Sequence, residues 1–252
     1  MFPSAFSLLG RTALITGANT GLGQAIAIAL AEAGADILAV GRTDPTETMA
    51  AVLNTGRRFI SVQADLANAD SMSMVADSAL AECAHIDILV NNAGIIRRSD
   101  AVDFTAADWD EVMDVNLKSA FFLTQAIGKR MLARGYGKVI NIASMLSFQG
   151  GIRVASYTAS KSAIAGLTRL LANEWACKGV NVNAIAPGYF ATNNTQSLRS
   201  DEKRNRDILA RIPAGRWGHP TDVGGAAVFL AAPASDYVHG AILPVDGGWL
   251  AR

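Results

Sequence analysis

The chain has no surplus of charge of either sign and is poor in charged residues altogether. Lys plus Arg and Asp plus Glu each total 22 among 252 residues, and charged residues make up 17%. Without a basic surplus, neither nucleic acid nor a membrane surface is an expected partner. No apolar run approaches the roughly eighteen residues of a membrane-spanning helix, and residues 1–4 do not begin a basic and apolar leader. We therefore expect a cytoplasmic protein that binds a small molecule.

Histidine and cysteine are also scarce. His85, His219 and His239 lie far apart and show no ligand spacing, so we expect no metal site. Cys83 and Cys177 fall late in predicted amphipathic helices, where cysteines pack as small apolar residues more often than they form a disulfide. Neither cysteine is expected to be reactive.

Short apolar strands and amphipathic helices alternate along the whole chain. Strands are predicted at residues 11–15, 36–40, 59–63, 87–90, 138–142, 180–186 and 242–245. Helices are predicted at 24–33, 44–55, 70–84 and 105–133, through residue 157 to 178, and from residue 220. This alternation predicts one α/β domain over residues 1–252, a Rossmann-type doubly wound parallel sheet with helices on both faces.

The segment at residues 189–213 breaks this alternation because it is polar and rich in charged residues. We expect a mobile helical lid over a site, since such lids exclude water during a reaction. The alternative is a solvated surface helix.

Three glycines separate the first predicted strand from the first predicted helix. A pyrophosphate binds over a helix N-terminus, where free N–H groups and the helix dipole favour anions and side chains would block its approach. The spacing Gly-x-x-x-Gly-x-Gly departs from the commoner Gly-x-Gly-x-x-Gly fingerprint, and an ordinary tight connection is the alternative. The segment predicts cofactor contacts at Gly17, Asn19, Thr20, Gly21, Leu22 and Gly23.

The ends of the second and third predicted strands bear on the choice of cofactor. Arg42 follows the second strand, where an NAD-selective protein usually has a carboxylate, and a guanidinium can bind the extra phosphate of NADP. Arg42 therefore favours NADP(H), and NAD(H) is not excluded. Asp65, followed by Leu66, ends the third strand, where it could bind the adenine amino group or cap the next helix.

Polar residues also follow the fourth and fifth predicted strands. Asn92, Ala93 and Gly94 suit a backbone that approaches a ring or a ribose, although a turn alone would favour them too. Ser144 ends the fifth strand. Asn116 lies among apolar neighbours in a predicted helix, so it is either a hydrogen-bonded core amide or part of a site.

Tyr157 and Lys161 are four residues apart, which places them on one face of a predicted helix. A free tyrosine titrates near pH ~10, and a neighbouring cation favours the phenolate and lowers the pKa. The pair is a candidate acid/base. Taken alone, a Tyr and Lys pair at this spacing occurs often on helices and more often has no catalytic function.

These motifs together resemble the short-chain dehydrogenase/reductase family over essentially the whole chain. The resemblance rests on residues 16–23, residues 91–94, Asn116, Ser144, and the Tyr157 and Lys161 pair. It implies an enzyme that uses NAD(P) to interconvert a ketone and a secondary alcohol.

The resemblance also implies a role for each residue. Tyr157 is the general acid/base and Ser144 holds the substrate oxygen. Lys161 binds the nicotinamide ribose and lowers the pKa of Tyr157, and Asn116 supports a water-linked proton relay. Three residues match the segment beside the nicotinamide, namely Pro187, Gly188 and Thr192. A homo-oligomer, a dimer or tetramer formed through the long helices, is implied as well.

Residues 143–153, 188–196, 212–217 and 246–252 resemble members of the family that act on keto-deoxy sugar acids. Such a substrate carries a carboxylate, for which a fork of donors is suited. Arg153 is the first candidate, then Arg97 and Arg98, with Gln149 and Asn194 for hydroxyls; solvated loop arginines are the alternative reading. Gluconate or a 3-oxoacyl thioester is the competing substrate, and a non-catalytic dinucleotide-binding protein is the remote alternative.

Overall fold

A computed structural model describes residues 4–68 and 71–252, and a sheet of seven parallel strands forms its centre. Across the sheet the strands run β3-β2-β1-β4-β5-β6-β7. The predicted doubly wound sheet is confirmed, with each strand within one residue of its predicted limits. The strands are β1 (Thr12–Thr16), β2 (Asp36–Gly41), β3 (Phe59–Gln63), β4 (Ile88–Asn91), β5 (Gly137–Ile142), β6 (Val180–Pro187) and β7 (Ile242–Val245).

Nine α-helices lie in the described ranges of the chain. They are α1 (Gly21–Glu32), α2 (Thr46–Asn54), α3 (Met72–Ala81), α4 (Ala106–Met113), α5 (Ser119–Arg134), α6 (Ala155–Trp175), α7 (Gln196–Ser200), α8 (Glu202–Arg211) and α9 (Gly224–Ala231). None of the helices in these ranges is long and apolar enough to cross a membrane.

Two apolar layers hold the helices against the sheet. Alternate residues of a strand point to opposite faces, so Ile15 of β1 packs in a cluster with α1, α2 and α9. Its neighbour Leu14 packs in a second cluster with α3, α5 and α6. Every residue of β5 and β6 is buried, as expected for parallel strands covered on both faces.

The strand order changes direction between β1 and β4, because β2 and β3 lie on one side of β1 and the remaining strands on the other. In open α/β sheets, ligands bind at such a switch point, beyond the carboxyl ends of the strands. The fold therefore brings together the residues that follow β1, β2, β4, β5 and β6.

Three helix predictions need correction. The single helix expected over residues 105–133 is divided into α4, a π-helical segment at Asp114–Lys118, and α5. The helix expected from residue 220 begins as a 3-10 turn, Pro220–Val223, before α9, and the helix expected to end at 178 ends at Trp175 before a second 3-10 turn. The expected helix over 70–84 is α3, and its predicted first residue, Asp70, lies outside the described residues.

Residues 189–213 form the two helices α7 and α8 after a short 3-10 turn, Asn193–Thr195. Asp201 caps α8, since its side chain accepts hydrogen bonds from the backbone N–H groups of Lys203 and Arg204. The helical content expected of this segment is confirmed.

Candidate active site

A cavity of about 360 Å³ opens at the carboxyl edge of the sheet, above the switch point between β1 and β4. It is the kind of concave, mixed polar and apolar site in which cofactors bind. The predicted cofactor residues line it with the exception of Pro187 and Gly188. Those that do so are Gly17, Asn19, Thr20, Gly21, Leu22, Gly23, Arg42, Asp65, Leu66, Asn92, Ala93, Gly94, Tyr157, Lys161 and Thr192.

The glycine turn brings backbone, and no side chain, to the N-terminus of α1. Gly17 and Gly21 have φ angles of 66° and 59°, which side chains disfavour. A Cβ at Gly23 would lie 2.2 Å from the carbonyl oxygen of Gly17. Thr20 precedes α1 without a side-chain cap, so the first-turn N–H groups of the helix face the cavity free of such a cap. These features fit a bound pyrophosphate.

Asn92 braces the glycine turn from the neighbouring strand. Its side-chain Nδ2 donates to the carbonyl oxygens of Thr16 (2.9 Å) and Gly17 (3.0 Å). In return, the Thr16 hydroxyl accepts from the backbone N–H groups of Asn92 and Ala93, both at 3.0 Å. These four bonds tie the end of β1 and the start of the glycine turn to the end of β4.

Arg42 and Asp65 lie together at the far wall of the cavity. Arg42 Nε is 4.0 Å from Asp65 Oδ1, and the Arg42 side chain remains 68% exposed. Asp65 does not cap α3, because its Oδ1 accepts from the N–H of Ala67 within the loop after β3. The guanidinium of Arg42 is thus at the surface, available to an anionic group.

Asn116 occupies the π-helical segment and is 2% exposed. Its Oδ1 accepts from the N–H of Ile95 (2.8 Å), and its Nδ2 donates to the carbonyl of Ile95 (2.9 Å) and to Ser160 Oγ (3.4 Å). The amide therefore joins the loop after β4 to α6. Single π turns inside α-helices occur frequently at functional sites.

The loop after β5 is fastened to α6, the helix that carries Tyr157. Ser147 Oγ donates to the carbonyl of Lys161 (2.6 Å), and Ser162 Oγ donates to the carbonyl of Leu146 (3.1 Å). These bonds hold Ser144 beside Tyr157, and a hydrogen bond between their side chains acts on the phenol.

The site buries Lys161 and partly buries Tyr157. Lys161 is 4% exposed; its Nζ donates to the carbonyl of Ile142 (2.6 Å) and lies 5.7 Å from the centre of the Tyr157 ring. Burial disfavours the ammonium and lowers the pKa of Lys161 to about 8.

The expected lowering of the Tyr157 pKa is not what the structure shows. Burial raises the pKa of Tyr157, and the hydrogen bond to Ser144 and the charge of Arg98 oppose that rise only in part. The prediction considered only the charge of Lys161 and its spacing from Tyr157. Burial of Tyr157 also removes water from the phenolate, which disfavours the charged form and raises the pKa.

Two of the expected carboxylate-binding arginines already have carboxylate partners. Arg97 forms a two-pronged pair with Glu111, from Nε (2.9 Å) and Nη2 (2.7 Å). Arg153 Nε lies 3.1 Å from Asp100 Oδ1. None of the three predicted arginines, Arg97, Arg98 and Arg153, lines the cavity.

Of the remaining predicted site residues, some line the cavity and others do not. Asn194 lines the cavity, whereas Gln149 and Ser144 do not. Pro187 ends β6, and Gly188 is packed so closely that a Cβ there would lie 2.6 Å from Asp246 Cα. Several lining residues were not foreseen: Gly41, Thr43, Ala67, Ile95, Glu111, Val115, Ile142 and Asn193. Most of them adjoin a predicted site residue, which is the only signal that the sequence offered.

No cluster of three or more potential metal ligands lies within residues 4–68 and 71–252. The expected absence of a metal stays a prediction.

The fold and this site define an NAD(P)-dependent oxidoreductase. A family model described as Enoyl-(Acyl carrier protein) reductase, a short-chain dehydrogenase model, matches residues 17–250, and the chain belongs to the short-chain dehydrogenase/reductase family.

Individual relatives are similar over their full length. The chain is 61% identical to the 2-dehydro-3-deoxy-D-gluconate 5-dehydrogenase of Escherichia coli (strain K12), covering 100% of both chains. A crystal structure assigned as a 2-deoxy-D-gluconate 3-dehydrogenase from Agrobacterium tumefaciens, with bound NADP, superposes with a TM-score of 0.93 at 61% identity, covering 99% of this chain and 100% of that one. A second, assigned as an NAD(P)-dependent gluconate 5-dehydrogenase from Beutenbergia cavernae with bound NADP, gives a TM-score of 0.95 at 53% identity, covering 98% and 100%.

Proposed function

We propose that this protein is an NADP(H)-preferring dehydrogenase that interconverts a ketone and a secondary alcohol on a keto-deoxy sugar acid, as a 2-dehydro-3-deoxy-D-gluconate 5-dehydrogenase does. The observation that carries the proposal is the placement of Tyr157 and Lys161 in the wall of the cavity that the glycine turn at residues 17–23 also lines. The relative of that name, 61% identical over the full length, supports the choice of substrate.

Tyr157 moves the proton in this scheme. In ketone reduction its neutral phenol donates to the carbonyl oxygen, and in alcohol oxidation the phenolate takes the proton back. Ser144 holds the same oxygen and stabilises the charge that develops on it. Bound nicotinamide supplies or accepts the hydride at the substrate carbon.

Lys161 and Asn116 support the proton transfer from the side of the protein. Lys161 binds the nicotinamide ribose in this proposal, and its ammonium lies close enough to the Tyr157 ring to act on the phenolate. Asn116 lies behind the site, bonded to both polar backbone groups of Ile95. From there it supports a relay that returns protons to Tyr157 through water.

The cofactor is held from three sides. The turn at residues 17–23 and the N-terminus of α1 bind the pyrophosphate, and Arg42 binds the phosphate that distinguishes NADP from NAD. Asp65 and Leu66 would contact the adenine, residues 92–94 would approach a ring or a ribose of the cofactor, and Pro187, Gly188 and Thr192 would contact its nicotinamide end. NADP in the two similar crystal structures supports this preference.

The segment at residues 189–213 acts as the substrate lid. Thr192, Asn193 and Asn194 at its start line the cavity together with Tyr157. A movement of α7 and α8 would therefore change access to Tyr157. Closing such a segment excludes water from the reacting groups.

We also propose a homo-oligomer, a dimer or a tetramer, in the cytoplasm. Trp109 on α4, Phe122 on α5 and Leu170 on α6 are partly exposed apolar side chains on the helices expected to pair. Light scattering tests this, with a mass two or four times that of the 26.4 kDa chain expected and a monomer mass contradicting it. The free thiols of Cys83 and Cys177 fit a reducing compartment.

A substrate panel tests the proposed activity. Turnover of 2-dehydro-3-deoxy-D-gluconate, gluconate and a 3-oxoacyl thioester is followed by nicotinamide absorbance with both cofactors. We expect the highest kcat/KM for the keto-deoxy acid with the NADP couple. A higher value for gluconate, which the 53% identical relative makes the leading competitor, reassigns the substrate. Dinucleotide binding without any turnover indicates a non-catalytic protein.

A further inference from the structure

The glycine turn is held by a side chain of α2 as well as by Asn92. Thr48 of α2 is 0% exposed, and its Oγ1 donates to the carbonyl oxygen of Ala18 (2.8 Å). Ala18 follows Gly17 in the turn and is also buried. The second helix is therefore bonded to the backbone of the turn through one buried hydroxyl.

Gln24, near the start of α1, directs that hydroxyl. Its Nε2 donates to Thr48 Oγ1 (3.1 Å). A hydroxyl has one proton to donate and two lone pairs that accept. Because Gln24 binds a lone pair, the Thr48 proton is directed to the Ala18 carbonyl, and a chain of bonds runs from α1 through α2 to the turn.

Asn92 and Thr48 together bind the carbonyl oxygens of residues 16–18. In a trans peptide the C=O and N–H groups point to opposite sides, and no cis peptide bond occurs in the described residues. The Ala18 carbonyl is directed towards α2. The N–H of Asn19, in the same peptide unit, is therefore directed away from α2.

The N–H of Asn19 is left without an acceptor among the residues that the structure describes. Asn19 lines the cavity, where its side chain is half-buried. A backbone N–H needs an acceptor, from the protein, from water or from a ligand. In the wall of a cofactor cavity, an oxygen of the cofactor can fill that role.

We infer that Thr48 is a positioning residue for the dinucleotide, because its bond to the Ala18 carbonyl presents the N–H of Asn19 to an oxygen of the cofactor. The inference rests on the proposed cofactor site and specifies what holds that site in its binding conformation. Thr48 itself does not line the cavity, so it acts through the turn.

The test separates the hydroxyl of Thr48 from its shape. Dissociation constants for NADPH and NADH are measured from nicotinamide fluorescence with wild type, Thr48→Val and Thr48→Ser. We expect Thr48→Val, which keeps the shape and loses the hydroxyl, to weaken both cofactors about 5- to 20-fold, because the turn contacts a part that they share. Thr48→Ser keeps the hydroxyl and should bind both within about twofold of wild type.

Melting temperatures and kinetics distinguish positioning from a merely structural role. Both variants should melt below wild type, since valine leaves the Ala18 carbonyl unpaired and serine leaves a void in place of a buried methyl group. Only Thr48→Val should raise KM for NADP, with kcat at saturating cofactor and KM for the sugar acid unchanged. A loss of affinity in Thr48→Ser that follows its melting temperature overturns the inference.

Gln24→Met carries the same test if Thr48→Val does not fold. It removes the directing donor from a half-buried position, so we expect a smaller loss, about 2- to 5-fold, for both cofactors. Unchanged affinities in Gln24→Met would then overturn the inference.

The matched control is Thr55→Val, at the end of the same helix, where Thr55 Oγ1 donates to the carbonyl of Val52 (2.7 Å). Its affinity for both cofactors should equal that of wild type. Wild-type affinities in Thr48→Val, or a loss confined to NADPH, overturn this inference and leave the proposed function standing. If wild type binds neither dinucleotide, the proposed function fails, and this inference with it.

Discussion

Lys161 is a buried amine. Because burial changes its pKa between the unfolded and the folded chain, its titration changes the free energy of unfolding with pH. Its pKa is lowered from 10.5 to about 8 by burial. Between these values the unfolded chain holds a proton that the folded chain has released, so this residue makes stability rise with pH across the window. Below pH about 8 both states are protonated, and the contribution is constant.

We therefore predict a pH-dependent difference between wild type and Lys161→Met. Urea unfolding without cofactor should show that wild type gains stability relative to the variant as pH rises from about 8 to about 10. Lys178→Met, at an exposed lysine, serves as the control. Parallel curves for wild type and Lys161→Met would contradict the burial of the charged ammonium.

At the scale of one side chain, we propose that Arg42 sets the choice of cofactor. Its guanidinium is exposed and only loosely paired with Asp65, which is itself half exposed. We predict that Arg42→Gln raises KM for NADPH about 10- to 100-fold and changes KM for NADH little, since a charged hydrogen bond to the extra phosphate is lost. Equal losses with both cofactors would place Arg42 outside the phosphate site.

At the scale of elements, the turn into α1 requires glycine for a steric reason. A Cβ on Gly23 would meet the Gly17 carbonyl oxygen at 2.2 Å and Asn92 Nδ2 at 2.4 Å, so the turn or its brace must move. We predict that Gly23→Ala lowers the melting temperature and weakens dinucleotide binding more than about tenfold, measured by calorimetry.

Gly225→Ala is the control for helix propensity. Gly225 lies in α9 with no atom within 4 Å of an added Cβ. Alanine there should leave cofactor affinity unchanged and stabilise the protein by up to about 1 kcal/mol. If Gly23→Ala and Gly225→Ala show the same cofactor affinity and the same stability, the close contact at Gly23 is not the reason that glycine is needed there.

Elements differ in how much of them the sequence could predict. Strands such as β5 and β6 are apolar runs bounded by turn residues, and parallel topology then places their ends at one edge. The π-helical segment around Asn116 could not be foreseen, because its apolar neighbours are equally compatible with an ordinary helix. Its position follows from the bonds between Asn116 and Ile95, a contact across 21 positions of sequence.

The site residues also differ in how well the sequence could predict them. Residues placed by strand ends, such as Gly17 and Asn92, line the cavity as expected. The order in which Arg153, Arg97 and Arg98 were expected to bind a carboxylate came from loop position and resemblance alone. Which arginine is neutralised depends on Asp100 and Glu111, whose side chains reach the arginines only in the folded chain. The raised pKa of Tyr157 likewise depends on burial, which spacing does not report.

At the scale of the whole molecule, one edge of a seven-stranded sheet gathers the glycine turn, Asn92, Ser144 and, through α6, Tyr157 and Lys161. The doubly wound order makes this edge continuous across the switch point between β1 and β4. The residues proposed for catalysis and those proposed for cofactor binding are therefore positioned by the same sheet. The 61% identity to the Escherichia coli 2-dehydro-3-deoxy-D-gluconate 5-dehydrogenase extends over the full length of the chain, so it includes every element of this edge.

Turnover by Tyr157→Phe tests the central claim most directly. The oxidation of 2-dehydro-3-deoxy-D-gluconate is measured with NADP for wild type and variant, alongside the cofactor dissociation constant. We predict that the variant loses about 10²- to 10⁴-fold in kcat while its cofactor affinity stays near the wild-type value, because only the proton transfer is removed. A kcat within about tenfold of wild type, equivalent to about 1.4 kcal/mol of barrier, would contradict the assignment of Tyr157 as the acid/base.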